Sequence, residues 1–282
     1  MSVLDVVNAP WAITPDKLRE IQAFYSAYLR GEKSDIGAIE DRLGRPLANE
    51  RKPYILSDGV AVINLEGIIA KKMNLFTQIS GGTSTELATQ DLRTALADSA
   101  VNSIILLIDS PGGTVDGTQA LSDQVYAARR VKPIVALASG MMASAAYWIG
   151  SAAMAVYISE QTTVTGSIGV VTSHVDMSGA EAQKGIKTTE IYAGKFKRVA
   201  SAYSPLSDDG RTSIQEQVDY LYSVFVGDVA KNRGVSVDAV LQKMADGRLF
   251  TGQQGIEAGL VDGVATLEGL TYRMALAGKS KA

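Results

Sequence analysis

The residues best suited to chemistry stand in two short segments, Asp109-Ser110-Pro111-Gly112-Gly113 and Ser139-Gly140-Met141-Met142-Ala143-Ser144-Ala145-Ala146-Tyr147, each following an apolar run. Acyl transfer needs a hydroxyl held at a sharp strand-to-helix junction and backbone N–H groups aimed at the oxygen on which negative charge develops. Ser144 offers the hydroxyl. Gly112 and Gly113 offer the amides, because without side chains they leave room for a peptide backbone and can adopt the positive φ that turns an amide into a cleft. The runs at 104–108 and 134–138 end at Asp109 and Ser139. Both loops therefore fall at the carboxyl ends of strands, where open α/β sheets place their ligands. Ser144 would then begin a helix whose N-terminal end favours a nearby oxyanion. Asp109 reads as structural, fixing the loop before Ser110-Pro111 by side-chain to backbone hydrogen bonds.

A serine nucleophile also needs a base. The chain has one histidine, His174, thirty residues beyond Ser144. Histidine is the usual partner of a catalytic serine, yet a lone histidine is as readily structural, and lysine is the other candidate. A lysine accepts a proton only when neutral, which requires an apolar pocket that lowers its pKa. The residues alone leave both bases open. With no cysteine, disulfides and thiolate catalysis are excluded, and one histidine argues against a histidine-built zinc site, so neither metal nor cofactor is expected.

The elements that must position these residues follow from the pattern along the 282 residues. Residues 1–52 read as an N-terminal helical extension, with Thr14-Pro15-Asp16 as a helix start and Leu18, Ile21, Phe24, Tyr25, Tyr28 and Leu29 spaced for one apolar face. From Gly59, short apolar runs at 60–65, 104–108 and 134–138 alternate with helical stretches at 85–96 and 115–129. This is the signature of βαβ units around a mostly parallel sheet, hence an α/β fold over residues 53–270. From about Ser204 the pattern is helical, at 209–233 and near 237–244. Ile214, Val218, Leu221, Tyr222, Phe225 and Val226 give the longer helix an apolar face, for a subunit contact or for its own core. Residues 80–84 read as a flexible loop and 271–282 as a flexible tail. The formal net charge is −3 with both signs interspersed, which argues against nucleic acid as partner. Residues 1–8 lack the basic opening of a secretory leader, so a cytoplasmic location is expected. Residues 133–159 carry no charge and are long enough to span a bilayer. Ser139-Gly140, Ser144 and Gly150-Ser151 interrupt the run, which reads instead as strand, turn, buried helix and strand, with no membrane span.

Taken in order, Ser110-Pro111-Gly112-Gly113, the Ser144 segment, Thr165-Gly166-Ser167-Ile168-Gly169-Val170, Gly194-Lys195-Phe196-Lys197, and Ala245-Asp246-Gly247-Arg248-Leu249-Phe250-Thr251-Gly252-Gln253-Gln254-Gly255 followed by Gly259-Leu260-Val261-Asp262 resemble the signal peptide peptidase A family of serine–lysine peptidases. The resemblance covers about Gly59 to Leu267 and implies a Clp protease/crotonase-like spiral of βαβ units. It implies a Ser-Lys dyad with Ser144 as nucleophile and Lys197 as general base, Lys195 being the weaker match. Gly113 and the Ala145 backbone would form the oxyanion hole, Ser167 would orient the lysine amine, and Gly112 and Ser110 would bind substrate. This chain departs from the family in having Ala145 and Ala146 where glycines follow the serine, and about one more residue between Ser144 and Ser167.

The same resemblance implies hydrolysis of peptide bonds in proteins or unfolded segments, and a homo-oligomer, since single domains of the family build their clefts at subunit contacts. A form without a membrane anchor and with an extension such as Trp11-Ala12-Ile13-Thr14-Pro15 is similar to phage and prophage head-maturation proteases, whose partners are scaffold and capsid proteins inside the prohead. A cellular peptidase of the same family acting on signal peptides or other proteins, and a crotonase-like acyl-CoA enzyme, are the alternatives.

Overall fold

The computed structural model describes residues 10–29, 52–72 and 82–279. The rest of the N-terminal extension, residues 73–81 of the loop region and the last residues of the expected tail lie outside the described residues, as do the side chains of Phe24, Tyr25, Tyr28 and Leu29. The first elements are β1 (Trp11–Ile13), α1 (Pro15–Leu29), β2 (Ile55–Ser57), β3 (Val60–Glu66), β4 (Ile69–Ala70), β5 (Thr83–Ser84), α2 (Thr85–Ala97), β6 (Ser103–Ser110), β7 (Gly112–Thr114) and α3 (Thr118–Ala128). There follow β8 (Ile134–Ala143), α4 (Ala145–Ser151), β9 (Ala155–Ile158), β10 (Val164–Gly166), α5 (Ser178–Gln183), α6 (Asp208–Arg233), α7 (Val237–Lys243), β11 (Leu249–Thr251), α8 (Gln253–Glu257), β12 (Gly263–Val264) and α9 (Leu267–Lys279).

The continuous apolar runs become the parallel strands β3, β6 and β8, as expected where helices cover both faces of a sheet. The main sheet has the order β11-β10-β8-β6-β3-β2, with β9 also on β8 and β12 on β9. The fold is thus α/β with mostly parallel strands. β8 is the fork: residues 135–138 pair with β9, and residues 141–143 pair with β10. β8 does not stop before Ser139, where the sequence suggested a turn. It runs on to Ala143 because Gly140 lets Asp109 come close: a Cβ there would stand 2.8 Å from Asp109 Oδ1, and that oxygen accepts the Met141 N–H at 3.0 Å. Asp109 therefore fastens β8 rather than its own loop.

Gly112-Gly113, read from the sequence as a loop, is strand β7 in a second sheet of order β1-β7-β4-β5. Residues 11–13, read as part of an appendage, are its buried edge and pack with Leu18, Ile21 and Ile68. One face of the main sheet carries the large core, to which α2 gives Leu92 and Ala95, α3 gives Leu121 and Val125, and α6 gives Phe225 and Val229. The other face packs Val60, Val62, Ile105 and Leu137 against Leu270 and Ala275 of α9. Residues 271–279, expected as a tail, are therefore ordered helix, anchored by an apolar stripe. The last third of α6 is buried in its own core, whereas Ile214, Val218 and Leu221 are only half-buried.

At the end of α6, Arg233 grips both oxygens of Asp262 (2.7 and 2.8 Å), and Asp262 also accepts the Val156 N–H at 2.7 Å. Burial alone would raise the Asp262 carboxyl, but the Arg233 hydrogen bonds and the Val156 amide hold it below its ordinary value. A depressed folded-state pKa contributes stability that is present above the unfolded value, about 4, and is lost as pH falls through the folded one. Calorimetry is therefore expected to show Tm falling below about pH 4, with a smaller fall in Asp262→Asn, which starts from a lower Tm at neutral pH.

Candidate active site

β8 ends at Ala143 and α4 begins at Ala145, so Ser144 occupies the turn between them. It adopts φ 55 and ψ −118, a conformation that costs a non-glycine residue about 1–3 kcal/mol and persists where surrounding structure enforces it. The enforcement is visible: the Ser144 N–H donates to the Gly166 carbonyl at 2.7 Å, and its carbonyl accepts the Trp148 N–H at 2.9 Å. The residue is 1% exposed, and its Oγ has no hydrogen-bond partner. A buried hydroxyl left unbonded costs about 1–3 kcal/mol, so its presence calls for a use.

The support below Ser144 is rigid. Every residue of α4 is buried. Ala145 and Ala146 let the helix enter the core without bulk, and Trp148 stacks on Phe225 with ring centroids 4.3 Å apart while donating Nε1–H to Asp228 at 3.0 Å. The Tyr147 hydroxyl donates to the Leu260 carbonyl (2.9 Å), and burial pushes its phenol well above the ordinary value. Trp148→Ala is expected to cost about 3–5 kcal/mol, read from the urea midpoint, with activity lost as the turn loosens.

Gly112 and Gly113 lie beside this serine. A Cβ on Gly112, whose φ is 106, would stand 2.9 Å from Ser144 Cβ and closer still to the Ala12 carbonyl. The Gly112 N–H is already taken by Ser110 Oγ at 3.1 Å, so the buried Ser110 shapes the loop from within. Gly113 faces Ala12 in the β1–β7 register. The Ala145 N–H, first in its helix, has no intrahelical acceptor. Ser167 follows Gly166, the residue that holds the Ser144 amide, and is itself at φ 53, with its N–H donated to the Arg248 carbonyl at 2.7 Å. The fold thus gathers Ser110, Gly112, Gly113, Ser144, Ala145 and Ser167 at the ends of β6, β8 and β10.

It does not gather the candidate bases there. Lys197 lies in an exposed turn, its N–H bonded to the Gly194 carbonyl at 3.1 Å. Lys195 pairs with Asp209 at 3.3 Å, and His174 donates Nε2–H to the Ser201 carbonyl at 2.8 Å. None of the three bonds Ser144 Oγ. Beside the lysines in the chain stand exposed apolar side chains: Ile191 is 97% exposed, and Tyr192 and Phe196 are more than half exposed. Among the described residues no cluster of three or more His, Asp and Glu is placed to hold a metal ion, and no helix is long and apolar enough to cross a membrane.

Three participants escaped the sequence reading: Ala12, the Ile69 backbone against Gly113, and Val171, which bridges to Trp11. Only the apolar triplet Trp11-Ala12-Ile13 before the helix start signalled any of them, and three residues are too few to show a period.

Residues 127–280 match Peptidase family S49. Among curated proteins, "Head-tail preconnector protein GP5" of Enterobacteria phage P21 is 36% identical over 219 residues, 77% of this chain and 43% of that protein. "Capsid assembly protease C" of Escherichia phage lambda is 34% identical over 213 residues, 76% of this chain and 48% of that one. "Putative signal peptide peptidase SppA" of Enterococcus faecium is 30% identical over 229 residues, 78% and 65% of the respective chains. The chain thus spans about half the length of the phage relatives it matches. Among solved structures, a ClpP1 mutant from Listeria monocytogenes superposes with a TM-score of 0.46 at 14% identity, over 74% of this chain and 94% of the other. The match to the family spans more than half of the chain, and the chain belongs to Peptidase family S49.

Proposed function

We propose that this chain is a serine endopeptidase in which Ser144 attacks the scissile carbonyl, the Gly113 and Ala145 amides hold the oxyanion, and Lys197 is the general base. The observation that carries the reading is the Ser144 hydroxyl, buried and unbonded at a strained strand-to-helix turn beside two glycines. Ser167 orients the lysine amine from its place after Gly166. Proton transfer runs from Ser144 Oγ to the lysine and on to the leaving amine, and water then hydrolyses the ester. An exposed turn is not the desolvated pocket a neutral lysine requires. The apolar side chains around Lys197 supply one when they bury against a second copy, whose Ser144 the lysine then reaches. The substrates we propose are capsid or scaffold proteins, a reading supported by the phage lambda relative's name, a capsid assembly protease. The test is a fluorophosphonate reagent with the labelled residue mapped by mass, run beside casein hydrolysis. Label on Ser144 alone, with casein cut, is the expected result, and a chain that takes no label and leaves casein whole sinks the reading.

A further inference from the structure

We infer that β1 is bound as a substrate strand and that the chain cuts itself between Ala12 and Ile13, residues 10–14 keeping other peptides out of the groove until then. The inference rests on the reading of Ser144 as nucleophile.

The segment lies extended between two backbones. On one side is β7, with Trp11 opposite Thr114, Ala12 opposite Gly113 and Ile13 opposite Gly112. The flanking bonds run from the Thr14 N–H to the Pro111 carbonyl (3.1 Å) and from the Val115 N–H to the Pro10 carbonyl (3.3 Å). On the other side Trp11 and Val171 exchange both N–H···O bonds at 2.8 Å. Strand addition of this kind is how a groove takes an extended peptide through its main chain.

The register decides which bond is presented. Hydrogen-bonded pairs alternate along an antiparallel ladder, and the bonds at Pro10/Val115 and Thr14/Pro111 place Ala12/Gly113 in the bonded class. The Ala12 carbonyl and the Gly113 amide therefore face each other. That amide is the one the mechanism assigns to the oxyanion. The Ala12 carbonyl and Ser144 Cβ also crowd one spot, the place a Gly112 side chain would fill. Ala12 faces the main core, whereas Trp11 and Ile13 turn to the opposite face of the strand and join the cluster of Leu18, Ile21 and Ile68. The groove is thus one that accepts a small residue just before the cut and large apolar ones on either side of it.

In the reaction, Ser144 Oγ bonds to the Ala12 carbonyl carbon and its proton passes to the base. The bond from that carbon to the Ile13 nitrogen breaks, and the nitrogen leaves with the proton. One water then hydrolyses the Ser144 ester, leaving a carboxylate on Ala12 and a new chain start at Ile13.

The test follows the intact mass of the full chain while casein is present, wild type beside Ser144→Ala. The expected result is a species beginning at Ile13 in the wild type alone, with casein hydrolysis rising at least tenfold as residues 1–12 are lost. A synthetic peptide of residues 8–17 should be cut at the same bond by the processed chain. Casein cut from the outset with residues 1–12 still attached, or the peptide left whole by a chain that degrades casein, overturns the inference and leaves the role of Ser144 standing. A wild type that cuts neither itself nor casein overturns both.

Discussion

Ser144→Ala and Lys197→Ala should each lower casein hydrolysis by about 10⁴- to 10⁶-fold, the loss seen when one member of a nucleophile–base unit is removed. Neither should weaken the fold. Ser144→Ala removes a buried hydroxyl that bonds nothing, a group that costs about 1–3 kcal/mol where it stands, so the variant is expected to melt no lower than the wild type. Lys197 is exposed in a turn, where substitutions shift stability by about 0.5 kcal/mol or less. Mixing the two inactive variants then asks where the lysine acts. If Lys197 serves the Ser144 of another copy, some sites in the mixture hold both groups intact and activity returns. If the mixture stays inactive, the lysine acts within its own chain. Recovery is expected, because Ile191, Tyr192 and Phe196 around the lysine leave an exposed apolar patch of the kind that marks an interaction surface.

What the sequence disclosed and what it hid divide along range. β3, β6 and β8 were legible because each carries an apolar run with no charge in its middle, and α2, α6 and α7 because apolar residues recur along each at helical spacing. The turn at Ser144 was legible for the same local reason: turn chemistry is written in neighbouring residues. β1 and β7 were not. Each is three residues long, and they pair across roughly a hundred positions of chain, so nothing near either reports the other. The tail was misread because its anchors, Leu270 and Ala275, matter only once Val60 and Ile105 are across from them. The proposed base is the extreme case: the motif at Gly194-Lys195-Phe196-Lys197 is recognisable, yet no local pattern says what would desolvate a lysine there.

Gly113→Ala should both loosen the fold and lower kcat, and the geometry says why one methyl group suffices. A Cβ at Gly113 would stand 2.7 Å from Ile69 Cα and closer still to the Ile69 carbonyl, which is backbone and cannot rotate aside. β4 and β7 must part to admit it, at a cost of about 1–3 kcal/mol for overpacking. The Gly113 amide moves with its strand. Displacing one oxyanion donor costs about 10²–10³ in kcat, and this loss should appear in the fraction that remains folded. Gly169→Ala is the control from the same set of motifs, since its Cβ would meet nothing nearer than 3.4 Å, an ordinary contact with Gly247. It should leave both the urea midpoint and kcat close to wild type. A folded Gly113→Ala with undiminished kcat would remove that amide from the mechanism, and with it the alignment of Ala12 as the residue before the cut.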